Sequence, residues 1–177
     1  MKHKKAGKRS VLGLFYPKEH RRSIHSINLS RLKKMGISNL IVDLDETLRK
    51  RNSDNIPRES IYWIKEVKKI GFKVCIISNN ILPWKADFIR KKFHVPVTLF
   101  SLKPFPFALK RAMKTLRSNN KNTAVIGDQL YTDILGANLV GIYSILVDPL
   151  TGKEKGILRK LVRWMERKIL PKLAKRT

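Results

Sequence analysis

Two carboxylates stand two positions apart in the segment NLIVDLDETL, residues 39–48, where a short apolar run gives way to polar residues. The run 40–42 reads as a buried strand, and in an extended backbone residues i and i+2 point to the same side. Asp43 and Asp45 are therefore expected to converge, and two anions that close repel unless a cation lies between them or one is protonated. The spacing predicts a metal. Asp and Thr are also common in turns and at helix caps, so the pair gains weight only from residues further along the chain. Ser78 comes at the end of a second apolar run, Lys103 just after a third, and Asp128 at the end of a fourth.

A crevice lined by several carboxylates, a hydroxyl and a lysine suits a hard cation and a phosphate. Mg²⁺ takes about six oxygen ligands and is commonly bound through a few carboxylates plus substrate phosphate. Lys103, with the hydroxyl and backbone N–H of Ser78, would hold phosphoryl oxygens. Asp43 would attack phosphorus to form an aspartyl-phosphate, splitting one displacement into two easier ones. Asp45 would protonate the leaving oxygen and later deprotonate the attacking water.

The surrounding pattern must bring these groups together. Residues 1–10 read as a flexible basic arm, residues 17–27 as a short helix with Ile24 and Ile27 inward, and 30–35 as another, stopped by Gly36. Pro57 suits the start of a helix whose Trp63, Ile64, Val67 and Ile70 share one face until Gly71. Strands are expected over 72–77, 97–100, 123–126 and 143–147, and helices over 84–93, 105–117 and 131–140; Phe107, Leu109, Ala112, Met113 and Leu116 supply the apolar residues of 105–117, and Gly141 caps 131–140. Strands alternating with helices imply an α/β fold with a mainly parallel sheet, whose ligand crevice lies beyond the carboxyl ends of the strands. The candidate residues fall at those ends.

The 177 residues suit one domain, and 39 Lys and Arg against 13 Asp and Glu give a net charge of +26. Such a surface favours anionic partners: nucleic acid, an acidic membrane face or a phosphorylated substrate. The single Cys75 excludes a disulfide framework and a cysteine zinc site, and in its apolar setting is expected to be a small buried hydrophobe. His3, His20, His25 and His94 have no metal-ligand spacing. No apolar stretch approaches the roughly 18 to 20 residues of a spanning helix, and the run 11–16 is short for a signal sequence and closed by Pro17. The expected address is cytoplasmic, peripheral on the inner membrane face.

Taken in order, DLDETL, the Ser78–Asn80 triplet, Lys103-Pro104 and GDQLYTD at 127–133 resemble the four motifs of the haloacid dehalogenase (HAD) superfamily of phosphohydrolases. More narrowly they resemble subfamily IIIA, in the branch that includes phosphatidylglycerophosphate phosphatases. The resemblance runs from about residue 17 to 149 and implies a Rossmann-like HAD core. It also implies that Asp43 is the nucleophile and Asp45 the general acid/base, with Thr47, Ser78, Asn79 and Lys103 serving the substrate phosphate. Mg²⁺ would be held by Asp43, the backbone carbonyl of Asp45, Asp128 and Asp133. Asn80 and Gln129 match the branch without a role, and Glu46 has no evident one.

Many members of that superfamily carry a cap domain inserted after the first motif or between the second and third. Neither 48–72 nor 81–102 has room for one, so no large cap domain is expected and the crevice suits a phosphate displayed on something large. The expected organisation is an arm over 1–16, the phosphatase domain over 17–150 and a basic amphipathic helix over 151–177. In that last segment Leu158, Leu161, Val162, Met165, Ile169 and Leu173 fall at helical spacing among Arg and Lys, a pattern that fits either a helix lying in a membrane interface or one packed on the domain. The leading expectation is a Mg²⁺-dependent phosphatase acting on phosphatidylglycerophosphate at the membrane. One alternative is an RNA- or ribosome-associated factor with an auxiliary or vestigial site. Another is a receiver-like module, against which the Asp-x-Asp-x-Thr arrangement argues.

Overall fold

The computed structural model describes residues 11–51, 53–78, 83–99 and 106–151. In chain order they form β1 (Glu19–Arg21), α1 (Leu29–Lys34), β2 (Asn39–Asp43), α2 (Arg58–Lys69), β3 (Lys73–Ile77), α3 (Pro83–Phe93), β4 (Val97–Thr98), α4 (Pro106–Leu116), β5 (Thr123–Gly127), α5 (Leu135–Val140) and β6 (Tyr143–Val147). The strands make one sheet in the order β1-β6-β5-β2-β3-β4, every neighbouring pair parallel.

β2 is central, and Leu40, Ile41 and Val42 are all fully buried. A parallel strand covered on both faces needs such a continuous apolar run. Alternation along the strands divides the core in two. Leu40, Val42, Val74 and Ile76 pack with Leu32 of α1, Ile64 and Val67 of α2 and Ile89 of α3. Ile41, Cys75, Ile77 and Val125 pack with Leu109, Ala112 and Leu116 of α4 and Ala137 of α5. Burial pushes the Cys75 thiol up to about 11, in keeping with a small inert hydrophobe.

The connections from β2 to β3 and from β3 to β4 carry one helix each, so the expected absence of a large cap holds. Gly36, Gly71 and Gly141 adopt φ of 82°, 90° and 75° just beyond α1, α2 and α5, the left-handed exit that glycine permits at least cost. Among the described residues no helix is long and apolar enough to cross a membrane.

Three local expectations fail. Residues 17–27 do not form one helix: 19–21 pair with β6 in the register Glu19↔Ile145 to Arg21↔Val147, and only Ile24–Ser26 make a 3₁₀ turn. Ile24 and Ile27 are buried as expected, but pairing with a sheet edge overrides the local pattern. Ile70 is 45% exposed and Phe107 76% exposed, because each lies at a helix end where the apolar stripe has turned off the sheet. Residues Val11–Phe15, grouped with the arm on sequence, form a 3₁₀ turn. The Asn138 amide donates to the carbonyls of Leu14 (2.7 Å) and Tyr16 (2.8 Å), holding that turn against α5.

The core face of α2 and the exposed Ile70 at its end differ enough to be told apart by substitution. Ile64→Ala should lower the unfolding free energy in urea by about 2–5 kcal/mol through the cavity it leaves, whereas Ile70→Ala should change it by no more than about 0.5 kcal/mol. Equal effects would mean that α2 does not pack as described.

Candidate active site

From β2 the chain builds outward on one side through β3 and β4 and on the other through β5 and β6. The carboxyl ends of β2 and β5 therefore flank the switch point, where open α/β sheets leave a crevice. Asp43 is the last residue of β2, and Asp128 directly follows β5. Asp133 arrives from a π-helical turn, Leu130–Ile134, that precedes α5. Carboxylate oxygens of Asp43, Asp128 and Asp133 lie within 4.8 Å of one another. Asp43 is 5% exposed and Asp133 fully buried, so water does little to screen their repulsion. Three converging oxygen donors fit a hard divalent cation and would suit a soft one poorly.

Asp133 reaches the crevice through two local devices. Its backbone N–H donates to the Gln129 carbonyl (3.0 Å) and its Oδ2 accepts from the Gln129 N–H (3.1 Å). Its carboxylate also lies directly on Gly127: a Cβ there would stand 2.3 Å from both Cγ and Oδ2. The sequence pattern starts the helix at Tyr131. The wider turn begins one residue earlier, and such single π turns are frequent at functional sites.

Asp45 is placed differently from the expectation. β2 stops at Asp43, so the strand alternation that would have aligned Asp45 with Asp43 no longer applies. The Asp45 carboxylate lies outside the trio. The Arg49 guanidinium donates through Nε to its Oδ1 (3.0 Å), and the Ser78 hydroxyl donates to its Oδ2 (3.2 Å). All three side chains are buried. Arg49 does not stand out on sequence: a lysine and arginine run at 49–51 looks like an ordinary polar loop. The Ser78 N–H, expected to face phosphate, instead donates to the Thr98 carbonyl (3.3 Å) in the sheet ladder. Thr47 is buried, and its hydroxyl has no hydrogen-bond partner among the described residues. Asn79 and Lys103 lie outside those residues.

Glu46, for which the sequence offers no account, has a left-handed backbone (φ 66°) and is 7% exposed. Its carboxylate accepts from the Arg51 N–H (2.9 Å), the Thr151 N–H (3.0 Å) and the Thr151 hydroxyl (2.7 Å). Burial works against this carboxylate, but the hydrogen bonds from Thr151 and Arg51, with the nearby Arg51 charge, outweigh it and hold the group below its usual range.

Fold and site together define a protein of the open α/β class with an acidic crevice, suited to a hard cation, at the switch point of a parallel sheet. Residues 102–174 match the family model described as HAD-hydrolase-like. The chain is 33% identical over 162 residues to "Probable phosphatase YqeG" of Bacillus subtilis, covering 92% of this chain and 93% of that protein. It is 28% identical over 151 residues to "Probable phosphatidylglycerophosphatase, mitochondrial" of Schizosaccharomyces pombe, covering 76% and 71%. Among solved structures, the cobalt-bound deoxy-D-mannose-octulosonate 8-phosphate phosphatase of Haemophilus influenzae superposes with a TM-score of 0.51 at 17% identity, over 76% of this chain and 90% of that one, a likeness of fold alone. The chain belongs to the HAD-like phosphatase superfamily and is a HAD-type phosphatase.

The contact between Gly127 and Asp133 gives a sharp test of how the trio is built. Gly127→Ala should weaken divalent-ion binding about 10- to 100-fold by displacing the carboxylate, read by titrating Mg²⁺ or Mn²⁺ calorimetrically against folded protein. Unchanged ion affinity would show that Asp133 is not held in this way.

Proposed function

We propose that this phosphatase is a Mg²⁺-dependent phosphomonoesterase that works through an aspartyl-phosphate on Asp43 and acts on phosphatidylglycerophosphate at an anionic membrane face. The observation that carries the reading is the convergence of Asp43, Asp128 and Asp133 at the carboxyl end of the central strand. Mg²⁺ bound there supplies the positive charge that offsets the phosphoryl oxygens. Asp43, Asp128 and Asp133 would hold the ion, together with the backbone carbonyl of Asp45. Lys103 and Asn79 are assigned to the substrate phosphate from their place in the motif order, and Thr47 and the Ser78 hydroxyl are assigned to it as well.

In the first step an Asp43 oxygen attacks phosphorus, the bond to the leaving oxygen breaks, and Asp45 gives that oxygen its proton. In the second, Asp45 takes a proton from water as its oxygen attacks phosphorus. The bond to Asp43 breaks, freeing inorganic phosphate and restoring both carboxyl groups. Asp45 reaches the leaving oxygen by exchanging one of its contacts with Arg49 and Ser78. The Ser78 contact is the one exchanged, being a single hydrogen bond from a neutral donor, while the buried ion pair with Arg49 is kept.

Three observations support a lipid-borne substrate. Among the described residues the connections out of β2 and β3 each carry a single helix, an arrangement that leaves room for a phosphate displayed on something large. The net charge of +26 favours an anionic surface, and a relative over most of its length is named for phosphatidylglycerophosphate. Basic residues near an anionic leaflet contribute about 1 kcal/mol each, so the Lys- and Arg-rich segment 152–177 would keep the protein peripheral on the inner face.

Phosphate release from dispersed phosphatidylglycerophosphate should require Mg²⁺, stop with EDTA, and fall about 10³-fold or more in Asp43→Asn, since the nucleophile has no substitute. An Asp43→Asn protein as fast as the parent would end the aspartyl-phosphate reading. Binding to anionic vesicles should exceed binding to RNA at physiological salt. The reverse order, with a steep loss of RNA binding as salt rises, would replace the lipid by a nucleic-acid partner.

A further inference from the structure

The segment joining Asp45 to Arg49 is closed on itself and fastened through Glu46 to a distant part of the chain. Inside the loop, the Glu46 N–H donates to the Arg49 carbonyl (2.6 Å), and the N–H groups of Leu48 and Arg49 donate to the Leu44 carbonyl (2.9 and 3.0 Å). Outside it, the Glu46 carbonyl accepts from the Leu150 N–H (2.9 Å) and the Glu46 carboxylate from Thr151 at 3.0 and 2.7 Å. Leu150 and Thr151 lie just past β6, more than 100 residues away in sequence. Glu46 thus adopts a left-handed backbone that disfavours side chains, and the contacts made by its carboxylate and carbonyl over-determine that conformation. Its neighbours on either side of the loop are the candidate acid/base Asp45 and the Arg49 that grips it at 3.0 Å.

We infer that Glu46 is a positioning residue for proton transfer by Asp45: with Thr151 as its anchor, it sets where Arg49 stands and so where the Asp45 carboxyl stands relative to the leaving oxygen. The inference rests on the acid/base role of Asp45 proposed above. Loss of the Glu46 carboxylate frees the loop from Thr151, lets Arg49 drift, and leaves Asp45 out of line with the oxygen it must protonate. The nucleophile and the three ion-binding carboxylates stay in place, because Asp43, Asp128 and Asp133 are held by β2, β5 and the π turn, and saturating Mg²⁺ in the assay covers any loosening at the Asp45 carbonyl.

That division of labour has a signature that a purely stabilising contact would lack. A phosphate ester with a strongly acidic leaving group departs without help, while one with a weakly acidic leaving group needs the proton. The test compares p-nitrophenyl phosphate with phenyl phosphate, with Mg²⁺ and the full chain, after a thermal melt shows each variant folded at the assay temperature. Asp45→Asn sets the reference for lost proton donation, which is worth about 10²–10⁴-fold. Glu46→Ala should lower kcat on phenyl phosphate by about tenfold, a fraction of that reference, with a much smaller loss on p-nitrophenyl phosphate and little change in KM. Thr151→Val should move the same ratio in the same direction by a smaller factor, and Thr151→Ser should restore it. Should Glu46→Ala fail to fold, Thr151→Val and its serine rescue decide the question alone.

Equal losses on the two esters, or none, in folded Glu46→Ala and Thr151→Val overturn the positioning role while leaving the proposed mechanism intact, provided Asp45→Asn discriminates between the esters. If Asp45→Asn itself shows no discrimination, the acid/base assignment fails and the positioning role fails with it. Neither result depends on which natural substrate the enzyme takes.

Discussion

Three carboxylates with oxygens inside 4.8 Å of one another are the condition on which the rest of the molecule turns. Left ionised and uncompensated in a buried setting, they would repel strongly enough to push their elements apart or to take up protons. The chain meets the condition by distributing the acids over separately anchored elements. Asp43 is fixed by the ladder of β2, which pairs on both sides. Asp128 follows β5, and Asp133 is folded back by the π turn onto a residue that has no side chain. The parallel pairing of β2 with β5 is therefore a precondition of the chemistry. It places two strand ends next to each other although about 80 residues lie between them in sequence.

Much of this was legible because the signals are local. Continuous apolar runs in a parallel sheet, glycine exits from helices and carboxylates at strand ends are each properties of a few adjacent residues. The positions of β2, β3, β5 and β6 follow from them. What resisted reading is set by contacts across the chain. The order of strands cannot be seen in any window, and β1 escaped because its identity comes from the edge of β6, while its own residues carry equal hints of a turn. Asp45 was expected to converge with Asp43 by strand alternation carried two residues past the end of the strand. The strand ends at Asp43, and beyond it the loop's own hydrogen bonds decide direction. Glu46 and Arg49 were missed for the same reason: their partners, Thr151 and Asp45, give them meaning only when folded. Gly127 looked like a strand terminus, and its need for an absent Cβ is visible only with Asp133 in place.

The two acids of the first motif thus have distinct surroundings despite lying two residues apart. Asp43 sits with other anions where a cation belongs. Asp45 sits against a guanidinium and a hydroxyl, away from that cluster. Mechanisms that use one carboxylate as nucleophile and a neighbouring one as proton carrier need the two in different surroundings. Here the separation comes from terminating the strand between them. The buried Arg49 is consistent with this division: a guanidinium beside Asp43 would compete with the ion, whereas beside Asp45 it orients the group and is kept within the loop by backbone hydrogen bonds.

The charge of the whole chain raises the question of whether its basic surface could do the work of the ion. At physiological ionic strength the Debye length is about 8 Å, so exposed lysines and arginines a few residues' breadth from the crevice exert only a screened field on it. Their effect falls on encounter: a positive exterior concentrates anionic substrates and surfaces and raises association rates. Neutralising the trio requires charge at contact distance in a medium of low dielectric, where a pair at about 4 Å interacts some four times as strongly at an effective dielectric of 20 as in bulk water. Arg49 cannot supply it, because its guanidinium grips Asp45. A net charge of +26 and an acidic crevice are therefore not in conflict. The surface bears on what approaches, and the trio presents oxygens that suit a divalent cation.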